Sequence, residues 1–184
     1  MLDGVERPAA WRLLIYTIPS EPSRKRAFIW RELKKVGAVY LRDGVCALPE
    51  SEGTVEAMGK IAAKIEEFGG DPTVIAGAEL DARRAQSIVE SSRGDREQEY
   101  AELLREGEGL LEHMCHETEH REFTFAELEE LKADLKKMGV WFQQIQGRDY
   151  FGALQAQQVE ALLQRCDEAL SSFMEAASKR DTGQ

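Results

Sequence analysis

Every histidine of the chain falls in one octapeptide, HMCHETEH at 113–120. His113, His116, Glu117 and His120 recur at i, i+3, i+4 and i+7, a spacing that lines one stripe of a helix. His116 and His120 stand four apart and can share one divalent ion, so His113, His116 and His120 are the candidate metal ligands. The plain alternative is a solvated helix end, since the stripe points away from the leucine face and an exposed pair lacks the enclosing groups of a built site. Thiol chemistry has less to work with. Cys46, Cys115 and Cys166 share no short metal-ligand spacing and fall inside expected elements, which predicts reduced, buried or half-buried thiols. Neither a G-x-G-x-x-G nor a C-x-x-C pattern is present, so no cofactor is expected beyond the divalent ion just considered.

A second chemistry is cationic. Within a net charge of -10, residues 11–42 hold eight basic side chains, including Arg24, Lys25 and Arg26, against only Glu21 and Glu32. Residues 51–184 hold 28 acidic against 15 basic side chains, which confines any anion contact to the front of the chain. The alternative is a solvated helix face whose Lys and Arg stems cover apolar surface.

The elements that must position these groups follow from periodicity. WRLLIYTI (11–18) reads as a strand, and 19–37 as an amphipathic helix with Phe28, Leu33 and Val36 on one side and Gly37 as its stop. AVYL and VCALP form a hairpin about Asp43-Gly44, a helix spans about 54–68, and Gly69-Gly70-Asp71-Pro72 leads into the strand TVIA. This β-α-β-β-α-β order predicts a ferredoxin-like sandwich over 1–80. From 81 to 184 the period becomes helical throughout. One helix is expected at 82–90, interrupted near Gly94, then others at 95–120, from a Thr124–Glu127 capping box to 146, and at 153–178. Short links imply an antiparallel bundle packed on the first lobe. The fold class is therefore α+β.

No run of eighteen apolar residues occurs, which predicts no membrane span, and the first ten residues lack the basic start and apolar stretch of a secretion signal. A cytoplasmic protein is expected. Its 184 residues and 42% hydrophobic content suffice for one core or two small lobes.

Four strings in order, LLIYTIPSEPSRKRAFIWRELKKVGAVYLRDGVCALP, EYAELL near residue 100, FTFAELEEL and GRDYFGA with its helical tail, resemble the N-terminal domain of the chromate resistance protein ChrB over nearly the whole length. The front lobe is also similar to the ferredoxin-like middle domain of PaaX-type phenylacetate repressors. The resemblance implies a non-enzymatic, chromate-responsive regulator of resistance-gene expression. Chromate reduction, also attributed to the family, is the enzymatic alternative. The third is a homodimeric module that contacts nucleic acid through its basic first helix. Implied partners are chromate or a similar tetrahedral oxyanion, DNA or a partner regulator, and a second copy of the chain.

A tetrahedral dianion needs several N–H donors and few nearby carboxylates. Two places qualify. The start of the first helix offers free amides beside Arg24, Lys25 and Arg26, with Glu21 counting against it. The other is Arg148 in GRDYFGA, where the rival reading is an Arg148 or Asp149 ion pair or cap with Tyr150 and Phe151 packed as a wedge.

Overall fold

The computed structural model describes residues 10–120 and 124–181, with side chains of the last helix to Ser178. Four strands, β1 (Trp11–Thr17), β2 (Val39–Arg42), β3 (Val45–Pro49) and β4 (Asp71–Ala78), form one sheet in the order β2-β3-β1-β4. All neighbours run antiparallel, with Leu14 opposite both Cys46 and Val74. Helices α1 (Ser23–Lys35) and α2 (Glu52–Glu67) supply the crossovers, so the βαββαβ order produces the expected split-βαβ sandwich. The α+β class holds.

Alternation along the strands decides which side chain goes where. Leu14, Cys46 and Leu48 point to one face, where they pack with Ile29 and Leu33 of α1 and Met58, Ile61 and Ile65 of α2. Trp11 and Ala47 point to the other, against Ala85, Ile88, Val89 and Phe151. Both faces carry a packed apolar cluster, while β4 at the edge is largely exposed, as is Ile15 beside it on β1.

Helix α1 begins at Ser23, later than the periodicity suggested. Pro22 sits at its N-cap with extended backbone (φ -78°, ψ 143°), and a residue preceding a proline is pushed out of the helical region. Helix α2 begins earlier than Thr54, because Ser51 caps it and Thr54 closes a reciprocal box from inside the first turn. The larger correction concerns α3 (Ala82–His120), which runs unbroken through Gly94. A helical glycine costs about 1 kcal/mol relative to alanine. Buried Ile88, Val89 and Ser92 before it and Arg96, Tyr100 and Leu103 after it outweigh that.

Contacts divide the chain into two units: residues up to Gly94 together with Gly147–Gly152, and Asp95–Gln146 together with Ala153 onward. The division falls at Gly94, where the change of periodicity suggested residue 80. In the second unit α3 continues, followed by α4 (Phe125–Gln146) and α5 (Ala156–Asp181). Tyr100 and Leu103 share a cluster with Met138, Ile145 and Val159, whereas Met114 shares one with Leu131, Leu170 and Phe173. The middle of α3 thus meets late α4 and early α5, and the end of α3 meets early α4 and late α5, so α4 runs antiparallel to both α3 and α5.

Candidate functional site

In the first unit the basic start of α1 splits into three different roles. Lys25 is engaged: its Nζ donates to the Phe68 carbonyl at 3.0 Å and lies 5.5 Å from that ring, closing the C-terminal end of α2. Arg24 is exposed. Arg26 lines a hollow of about 300 Å³ with Tyr16, Ile18, Trp30, Tyr40, Asp43 and Gly44. Among the described residues Arg26 forms no ion pair.

Two phenols complete this hollow. The Tyr16 and Tyr40 hydroxyl oxygens lie 3.1 Å apart, with either able to donate. Burial, above all, raises the pKa of both, so each keeps its proton at neutral pH. Two protons serve one mutual bond, which leaves the second O–H to donate elsewhere. A guanidinium, a phenol donor and the exposed Trp30 therefore border one concavity, with the Asp43 carboxylate as the opposing charge. Sequence reading passed over Tyr16 and Tyr40 because aromatic residues in strands read as core. The signal was their shared face, since Tyr40 pairs with Cys46 and Tyr16 lies two residues from Leu14, Cys46's other partner.

Residues 147–152 also belong to the first unit, at the opposite end of α1. Tyr150 donates its hydroxyl proton to the Val36 carbonyl at 2.8 Å, and buried Phe151 packs on Trp11 with ring centroids 6.1 Å apart. Gly37 makes this approach possible. Its φ is +72°, and a Cβ there would stand 2.9 Å from Cβ of Arg148 and 3.3 Å from the Tyr150 ring. Arg148 and Asp149 are half-buried beside this contact. An α-helix rises about 1.5 Å per residue, so Arg26 and the turn at Gly37 are roughly 15 Å apart along α1. The structure does not bring Arg24, Lys25 or Arg26 together with Arg148 at one anion.

The histidines lie in the second unit and separate. His116 and His120 stack at 4.1 Å, with His120 Nδ1 2.9 Å from the His116 carbonyl oxygen. His113 faces two carboxylates instead, Glu127 Oε1 at 3.3 Å and Glu117 Oε1 at 3.6 Å. Glu117 is 8% exposed, so this stripe does not point wholly to solvent. Sequence reading gave Glu127 only a capping role. The Thr124 half of that box is present, its hydroxyl accepting the Glu127 N–H at 3.1 Å. A cavity of about 600 Å³ between α3 and α4 is lined by His113 with Arg105, Glu106, Asp134, Lys137 and Trp141.

The cysteines are unpaired. Burial pushes the Cys46 thiol up to about 12 and raises that of Cys166, which suits packing rather than thiolate chemistry.

Comparison with known proteins adds two findings. The family described as Protein ChrB, N-terminal, matches residues 26–182. Protein ChrB of Cupriavidus metallidurans is 31% identical over 97 residues, which cover 53% of this chain and 29% of that protein. The aligned stretch thus spans less than a third of the relative's length. No solved structure matches.

Proposed function

The chain belongs to the ChrB N-terminal family, and from that premise we propose that it is a non-enzymatic regulatory domain of chromate resistance that responds to a tetrahedral oxyanion. One observation carries the reading: Arg26, with no ion pair among the described residues, shares a hollow of about 300 Å³ with the Tyr16–Tyr40 hydroxyl pair. A guanidinium supplies charge and paired N–H donors, the phenol a neutral O–H, and the partly apolar walls reduce competition from water. The position of this hollow beside the β2–β3 turn offers a means of transmission, because a ligand held there would bear on Asp43 and Gly44.

Calorimetric titration of the whole protein with chromate and with sulfate tests this. Saturable binding is expected, weakened at least tenfold by Arg26→Ala and several-fold by Tyr40→Phe. Loss on Arg148→Ala with Arg26→Ala unchanged would instead move the anion to the other end of α1. We extend the reading to a homodimer: β4 is an edge strand, and Ile75 on it and Ile15 on the adjoining β1 are 39% and 41% exposed.

A further inference from the structure

We propose that His113, Glu117 and Glu127 form a site for one divalent cation of the zinc class, held between α3 and α4 and independent of the oxyanion reading. Their ligand atoms all lie within 4.8 Å of one another. The individual spacings are informative. At 3.3 and 3.6 Å, the two carboxylate oxygens stand farther from His113 Nε2 than the 2.7–3.2 Å, roughly, of an N–H···O hydrogen bond. A tetrahedral ion with bonds of about 2.0–2.1 Å holds neighbouring ligand atoms about 3.3–3.4 Å apart, close to the two spacings from His113 to the glutamates, and the glutamate oxygens lie within 4.8 Å of each other.

Charge and burial point the same way. With its imidazole neutral, as a metal ligand must be, the trio carries two negative charges that a divalent cation cancels. Glu117 is the costly member. Its side chain is only 11% exposed, and its Oε1 has His113 at 3.6 Å and His116 Nδ1 at 3.4 Å, both contacts longer than a good hydrogen bond. A carboxylate taken out of water needs a stronger counterpart than that. His113 is half exposed and lines the 600 Å³ cavity, so a hydrated ion can reach its ring and keep water at the fourth position. The ligand pattern is His-x-x-x-Glu late in α3 plus a first-turn Glu of α4, so one ion would link the helices on either side of 121–123. His116 and His120, stacked on each other, stay outside the set.

The test is titration of the chelator-stripped full-length protein with zinc chloride, followed by calorimetry and by melting temperature. The expected result is one zinc per chain and a raised melting temperature. His113→Ala and Glu127→Gln, both at accessible positions, should each weaken uptake at least tenfold and remove the thermal shift, whereas His120→Ala should leave both unchanged. No uptake by the unaltered protein overturns the proposal. So does uptake that survives His113→Ala and Glu127→Gln, or that is lost with His120→Ala, because the ion would then sit on the stacked pair.

Discussion

Glu50, just past β3, shows how one side chain can tie strand ends together. It accepts the Gly77 N–H on Oε2 at 2.5 Å and the Arg12 guanidinium on Oε1 at 2.8 Å, joining β1 and β4 to the end of β3. The Gly77 amide first, and Arg12 second, hold its carboxyl below the usual carboxylate range. A depressed folded pKa stabilises the protein above the unfolded value of about 4.3 and loses that contribution as pH falls through the folded value. Glu50→Gln should therefore lower the melting temperature at pH 7, and the gap to the unaltered protein should close as pH falls through the folded value. A gap that persisted in acid would assign the effect to packing. At this scale some sequence readings carried through and others could not. Phe151 was legible as a packed aromatic within the GRDYFGA turn. Lys25 was not, since nothing local to SRKRAF shows that one of its three cations reaches the Phe68 carbonyl.

Two glycines of α3 make opposite demands on the same element. A Cβ at Gly94 would meet nothing within 4 Å, so Gly94→Ala should raise the unfolding free energy by about 0.5–1 kcal/mol through helix propensity alone. Gly107 is a crossing point. A Cβ there would stand 2.7 Å from Leu162 Cδ2 and 2.9 Å from Met138 Cε, and its carbonyl receives the Cys166 thiol at 3.5 Å. Gly107→Val should accordingly cost about 1–3 kcal/mol by overpacking. Urea denaturation of both variants checks the pair. Neither role was readable from the chain, because an isolated glycine in helical periodicity looks the same whether it faces open space or another helix. The element types were readable. Strands β1 to β4 and helices α1, α2, α4 and α5 fall close to where apolar runs and 3.6-residue periodicity put them, with ends displaced by caps and prolines, whereas the two helices expected on either side of Gly94 are the single α3.

For the molecule as a whole, the proposed dimer makes the clearest demand. Light scattering should give twice the 20.7 kDa chain mass, and Ile75→Lys should return the monomer, because a charge on an exposed edge strand opposes pairing with a second sheet. A monomer mass for the unaltered protein at tens of micromolar would remove the edge-pairing reading without touching the anion hollow. Charge distribution acts at the same scale. The front segment's eight cations are unevenly committed: Arg12 pairs with Glu50 and Lys35 with Glu32, Lys25 caps α2, and Arg26 faces the hollow. A run that looks uniform in composition therefore contributes few cations to any one ligand.

The chain by itself determined the α+β class, most of the order of elements and the family, because periodicity and long shared strings are properties of local sequence. Which side chains meet was decided only by tertiary structure. Tyr16 and Tyr40 converge through strand register, Arg148 and Tyr150 through the bare approach of Gly37, and Glu127 with His113 through the antiparallel return of α4. Each of these meetings joins residues far apart in sequence, and their separation in space depends on packing that no local pattern encodes.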